Sequence, residues 1–130
     1  MEGSDRIVQK CLDLAAQLNA PFILENPFTG LLKTRAVVAG IPMRIIDYCM
    51  YGAQYRKRTA LWTNTEFVPK RPLCTYTCAA SRDGRIHTQP AQRVSWKGAG
   101  EGQSQRLRTL YALPEALCAE IAEFAESVCV

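Results

Sequence analysis

Phe22-Ile23-Leu24-Glu25-Asn26-Pro27 is the stretch on which the fold turns. Its first three residues are wholly apolar, as expected for a strand buried on both faces of a parallel sheet. Glu25 and Asn26 follow at once, at the carboxyl end of that strand, where open α/β sheets bind their ligands. Upstream, residues 5–19 predict a helix. Ile7, Val8, Cys11, Leu12, Ala15 and Leu18 recur on one stripe at the helical period, Ser4 or Asp5 caps the start, and Pro21 ends it. Downstream, residues 31–39 predict a short helix stopped by Gly40 and Pro42. Residues 43–49 and 59–63 read as two strands joined by a turn at residues 51–54. Two strands connected without a helix are expected to be antiparallel. A strand buried on both faces needs a neighbour on each side, and this chain supplies neighbours on one side only, so it reads as part of a larger sheet.

The second half is less regular. Pro69, Pro72 and Pro90 punctuate it, and Gly98, Gly100 and Gly102 mark a loop. The pattern recovers at the end, where Pro114 and Glu115 open a helix and Leu117, Cys118, Ile121, Phe124, Ala125 and Val128 form an apolar stripe.

Composition excludes several classes. With 130 residues, 48% hydrophobic and 22% charged, the chain suits a soluble globular protein with one modest core. It has no apolar run near the roughly 18 residues that span a bilayer. Its acidic, polar start is unlike a signal peptide. The expected location is therefore intracellular, nucleus or cytoplasm, without a membrane partner. In a reducing compartment the six scattered cysteines are expected to be free, with Cys11 and Cys118 packed as small hydrophobes on their helices. The net charge of +4 is modest, but its distribution is uneven. Arg56, Lys57, Arg58, Lys70, Arg71, Arg82, Arg85, Arg93 and Lys97 face only Glu66 and Asp83 in that span. Tyr55, Trp62, Phe67, Tyr76 and Trp96 are interleaved with them. Cations for phosphate with aromatics for stacking fit a nucleic-acid partner; a solvated basic face is the alternative reading.

The Glu25-Asn26-Pro27 tripeptide, following a helix and a short apolar strand, resembles the Glu-Asn-Val/Pro motif of cytosine-5 DNA methyltransferases. About twenty-five residues on, the run from Asp47 to Thr59 resembles that family's later motif, in which a Gly-x-Pro-Gln turn leads into two arginines one residue apart. Gly52-Ala53-Gln54-Tyr55-Arg56-Lys57-Arg58 departs from it by lacking the proline. Aligned without a gap, the arginine pair falls on Lys57 and Thr59; a one-residue slip puts it on Arg56 and Arg58. Both registers stay open. The wording is similar to divergent algal and viral members. The resemblance covers the first half of the chain, through Asn64.

The resemblance implies specific chemistry. Methylating C5 of cytosine needs a thiolate to attack C6 of an electrophilic ring. A carboxyl group that hydrogen-bonds the exocyclic amine and protonates N3 makes it so, and burial that raises its pKa suits it for the task. Glu25 is the implied group, with Asn26 and Pro27 fixing the turn. Tyr55, Arg56, Lys57 and Arg58 are implied DNA contacts, Arg56 and Arg58 beside the flipped base. The family's nucleophile is a cysteine directly after a proline, upstream of the glutamate; no Pro-Cys dipeptide exists in this sequence. The glycine-rich turn for S-adenosylmethionine is also expected upstream. Gly98-Ala99-Gly100-Glu101-Gly102 follows no predicted strand and is a poor substitute.

Cys74-x-x-x-Cys78, followed by the chain's single histidine, His87, forms three parts of a zinc site. The fourth ligand is not adjacent, and Cys49 would have to come from the strand pair. A metal staple suits a loop-rich stretch with little core.

The resulting expectation is an α/β fold, the second half of a Rossmann-like S-adenosylmethionine-dependent methyltransferase sheet with an irregular carboxyl-terminal part. Its parts are residues 1–66 (the methyltransferase-like half), 67–112 (irregular, zinc-stapled) and 113–130 (the terminal helix). Functionally, the chain reads as a fragment or split subunit of a DNA cytosine-5 methyltransferase. It would use S-adenosylmethionine only when completed by an amino-terminal methyltransferase subunit. The alternative is a non-catalytic DNA-binding domain derived from that fold.

Overall fold

The computed structural model describes residues 3–89 and 111–128. The chain divides into two compact units: Met1–Ile46 with Arg58–Lys70, and Asp47–Lys57 with Arg71–Val130.

In the first unit, α1 (Gly3–Gln17) precedes β1 (Ile23–Pro27), two single 3-10 turns (Leu32–Thr34 and Ala36–Val38), β2 (Met43–Asp47) and β3 (Arg58–Thr63). The strands form one sheet in the order β1-β3-β2. β1 runs antiparallel to β3, with Leu24 opposite Trp62, Glu25 opposite Leu61 and Pro27 opposite Thr59. At one end of the other pair Tyr48 N–H donates to the Lys57 carbonyl, and at the far end Thr63 N–H donates to the Pro42 carbonyl, so β2 is antiparallel to β3 as well. Alternation then sorts the side chains of β1 and β3. Leu24, Ala60 and Trp62 lie on the face where Val38 completes a core lined by Val8, Phe28, Leu32, Val37, Ile41 and Met43. Glu25 shares the opposite face with Thr59, Leu61 and Thr63, all fully buried.

This corrects the expected surroundings of the strand that carries Glu25-Asn26-Pro27. β1 is half-buried along its whole length, its neighbour is antiparallel, and its outer edge has no partner strand among the described residues. The fold is a small α/β arrangement with antiparallel sheets. A run of apolar residues does not distinguish a strand buried in a sheet centre from one that is half-covered at an edge.

The predicted helix over residues 31–39 breaks into two 3-10 turns at Arg35, whose backbone is extended (φ −90°, ψ 143°). That kink serves an ion pair. Arg35 donates from Nε and Nη2 to the Asp5 carboxylate, with the shortest contact 2.6 Å. Asp5 is 8% exposed, so the pair anchors the start of α1. Replacing Arg35 by alanine leaves a nearly buried carboxylate without its forked donor. The expected loss of stability is about 1–3 kcal/mol, read as a shift in the urea midpoint, and Arg35→Lys should recover only part of it.

α1 covers the sheet with Val8, but Ile7 (68% exposed), Cys11, Leu14 and Leu18 (74%) point outward. Its apolar stripe is therefore only partly used, and Cys11 is an exposed thiol instead of a core residue.

The second unit opens with a 3-10 turn, Tyr48–Tyr51, closed by Gly52 in the left-handed region (φ 97°). Tyr51 O–H donates to Glu120 at 3.2 Å and ties this turn to α2 (Glu115–Val128). Burial pushes the Tyr51 phenol up to about 12, helped by the Glu120 charge. α2 buries Leu117, half-buries Ile121 and Phe124, and leaves Cys118, Ala125 and Val128 exposed, so that stripe too is less covered than its periodicity suggests. Between these elements lies a two-stranded hairpin, β4 (Ser81–Arg82) and β5 (Ile86–His87). Asp83 (φ 52°) and Gly84 (φ 65°) turn it, with Arg85 N–H donating to the Arg82 carbonyl. An Asp-Gly pair in this geometry is a favoured hairpin turn. Among the described residues, no helix is long and apolar enough to cross a membrane.

Candidate active-site strand and metal centre

Glu25, Asn26 and Pro27 are the last three residues of β1 itself, not a loop beyond it. The Phe28 N–H donates to the Arg58 carbonyl at 2.9 Å. In an antiparallel ladder bonded pairs alternate, so Leu24 and Asn26 also turn their N–H groups toward β3. Ile23 and Glu25 turn theirs to the open edge, and Pro27 has none. Asn26 lines a cleft of about 260 Å³ with Ser4, Asp5, Val8, Leu31, Leu32 and Arg35; Glu25 lies on the sheet's other face.

The turn after the tripeptide is closely packed. Gly30 N–H donates to the Pro27 carbonyl, and a Cβ on Gly30 would stand 2.8 Å from the Asn26 Oδ1 and 3.1 Å from the Pro27 oxygen. Lys33 reaches back to the carbonyls of Phe28 and Gly30, its ammonium 4.8 Å from the Phe28 ring centre. Gly30→Ala must therefore displace Asn26 or the turn. The expected destabilisation is about 1–3 kcal/mol, checked by thermal unfolding, with chemical-shift changes centred on Asn26.

The basic cluster is divided. Arg58 begins β3 and, by alternation, leans to the Asn26 face and away from Glu25. In the second unit, Arg56 stacks on the Tyr76 ring (5.2 Å), donates to its hydroxyl (3.0 Å) and stands 3.8 Å from Asp47. Lys57 lies over the rings of Tyr48 and Tyr111. Tyr55 is buried against Tyr48 and does not present its ring for base stacking. Trp62 and Phe67 are likewise core. Most of the aromatics interleaved with the basic residues therefore serve packing. Trp96 lies outside the described residues.

Cys74, Cys78 and His87 come together, and Cys49 joins them from the turn after β2. Their four ligand atoms all lie within 4.8 Å of one another. Cys74 and Cys78 sulfurs are 3.8 Å apart, and each is 3.4 Å from His87 Nε2. The hairpin supplies His87, held by Thr88 N–H on the Ala80 carbonyl, while Ser81 N–H donates to the Cys78 carbonyl. Burial pushes the Cys49 thiol up, and neighbouring sulfurs add to this. Burial also opposes ionising Cys74, but N–H donation from Tyr76 and contacts from Cys49 and Cys78 outweigh it, and its net direction is down. Desolvation and then the Arg56 charge hold His87 below its ordinary value.

Two residues that the sequence did not connect with the cysteine–histidine cluster complete this region. Asp47, fully buried, accepts from the Cys74 N–H at 2.8 Å while facing Arg56, and Tyr76 packs its ring 5.3 Å from His87. The signal for Asp47 was a carboxylate closing an apolar strand, a position that demands a partner.

A probable DNA (cytosine-5)-methyltransferase of Frog virus 3 (isolate Goorha) is 34% identical over 122 residues, taking in 88% of this chain and 55% of the viral protein. The chain thus spans about half the length of the curated relative it matches. No family model matches the chain. No solved structure matches it either.

Proposed function

We propose that this chain, 34% identical over 88% of its length to a probable viral DNA (cytosine-5)-methyltransferase, is a divergent cytosine-5 methyltransferase-like region that supplies the cytosine-activating half of a DNA methyltransferase. The carrying observation is β1, which ends in Glu25-Asn26-Pro27 and whose outer edge has no partner strand among the described residues. Glu25 is the acid that hydrogen-bonds the exocyclic amine of an extruded cytosine and delivers a proton to N3. Asn26 and Pro27 set the strand's exit, which Gly30 and Lys33 brace. Arg56, Lys57 and Arg58 are the candidate contacts to the DNA backbone.

S-adenosylmethionine is the cofactor implied by the family, but the described residues do not fit it. β1 leads into a tight turn and 3-10 segments, with no glycine-rich strand-to-helix turn. Gly98–Gly102 lies outside the described residues. We propose that an amino-terminal methyltransferase region supplies the cofactor site and the attacking thiolate. The open edge of β1 and the outward stripe of Ile7, Leu14 and Leu18 support such a partner.

The test is tritiated methyl transfer to cytosine in duplex DNA. The chain alone should transfer nothing, and together with a methyltransferase region carrying the Pro-Cys nucleophile and the glycine-rich turn it should transfer. Transfer by the chain alone, or none by the properly associated pair, would contradict the proposal. The second reading, a DNA-binding domain without catalysis, draws on the basic cluster. It predicts salt-dependent DNA binding by the isolated chain and no transfer in any combination.

A further inference from the structure

We propose that Cys49, Cys74, Cys78 and His87 form a closed structural zinc site that ties the turn after β2 to the β4–β5 hairpin and sets Arg56 in place. The inference is independent of the methyl-transfer reading, because it concerns only residues of the second unit. A tetrahedral zinc ion with Zn–S near 2.3 Å and Zn–N near 2.0–2.1 Å places sulfurs about 3.8 Å apart and sulfur and nitrogen about 3.6 Å apart. The observed separations, 3.8 Å for Cys74–Cys78 and 3.4 Å from each to His87, are those of three ligands around one ion. Cys49, within 4.8 Å of the others, closes the fourth position with a small inward movement.

The ligand set is chemically suited. Three thiols and an imidazole match zinc's preference, and a fully occupied shell without an open position marks a structural role. Binding releases the three thiol protons to solvent while His87 coordinates as the neutral ring. The Tyr76 N–H already donates to the Cys74 sulfur, as a coordinated thiolate requires for its remaining lone pairs.

The surroundings explain why the chain would use a metal here. The hairpin strands are two residues each, and among the described residues the apolar cluster beside them has Cys49, Cys74 and Ala80 as its buried members. That is too little to hold residues 71–89 by hydrophobic burial alone. The same segment carries the partners of Arg56. Tyr76 stacks under its guanidinium, and Asp47 bonds the Cys74 amide while facing Arg56. A metal that fixes Cys74 and His87 thus fixes the two groups against which Arg56 is aligned.

The experiment is elemental analysis of the full chain purified under reducing conditions with zinc present, followed by Co(II) substitution. One zinc per chain is expected. It should be lost in Cys49→Ala and Cys74→Ala, kept in Cys11→Ala, and kept in His87→Cys, which preserves a four-ligand shell. Co(II) titration of the metal-stripped wild-type chain provides a second measurement that does not depend on the folding of the alanine variants. It should saturate at one equivalent with the intense visible absorption of tetrahedral thiolate coordination. Stripping zinc should also release the slowly exchanging amides of Cys74, Tyr76, Ser81 and Thr88. Zinc below one-tenth of an equivalent in folded wild-type chain, a Cys74–Cys78 disulfide in its place, an octahedral cobalt spectrum, or unchanged amide exchange after stripping would each overturn the proposal.

Discussion

Replacing Glu25 by glutamine is expected to lower methyl transfer by the completed enzyme by about 10²–10⁴-fold, the contribution of a positioned general acid. Glutamine is nearly isosteric and still offers a hydrogen bond to a cytosine, but it cannot deliver a proton to N3. DNA affinity should change little, so the loss should appear in the turnover rate and not in KM. Glu25 sits in β1 opposite Leu61, on a face where Thr59, Leu61 and Thr63 are fully buried, so its carboxyl group is held on a rigid strand. Glu25→Asp keeps the acid but withdraws it by one methylene, and should recover only part of the rate. Equal activity of wild-type and Glu25→Gln complexes would remove the role assigned to this residue.

The second large effect is on stability. Trp62 is 2% exposed and sits opposite Leu24 at the centre of the first unit's core, with Val38 and Ala60 buried beside it. Trp62→Ala is expected to cost about 3–5 kcal/mol through lost burial and the cavity left behind. Domains are usually stable by only about 5–15 kcal/mol, so the variant should lose most of its cooperative unfolding transition in urea. Trp62→Phe, which fills part of the space, should be intermediate. A loss below about 1 kcal/mol for the alanine variant would mean that this core does not carry the unit.

Much of this architecture was legible in the sequence, and the reasons for the remainder are specific. Periodicity marked α1, α2, β2 and β3 to within a few residues, and the short link between β2 and β3 gave their antiparallel pairing. Periodicity also shows that a helix is two-faced without showing that the apolar face is covered; Ile7, Leu18 and Val128 are exposed for that reason. The 3-10 breaks near Arg35 follow from an ion pair to Asp5, thirty residues away, which no local propensity reports. The β4–β5 strands are too short to carry a period, although Asp83-Gly84 was a readable turn signal. In the cysteine–histidine cluster, Cys74, Cys78 and His87 stand out by spacing, whereas Cys49 joins them only through tertiary folding. For the basic cluster the sequence identified charge but not direction. Burial of Tyr55 and the stacking of Arg56 on Tyr76 are packing outcomes.

The central claim is that β1 is an active-site strand whose outer edge is completed by another region. Amide hydrogen exchange at Ile23, Leu24, Glu25 and Asn26 tests it most directly. Leu24 and Asn26 face β3 and should be protected in the chain alone; Ile23 and Glu25 face outward and should exchange rapidly, then become protected when the amino-terminal methyltransferase region is added. Protection of the Glu25 amide in the isolated chain, or its continued rapid exchange in a complex that methylates cytosine, would contradict the account.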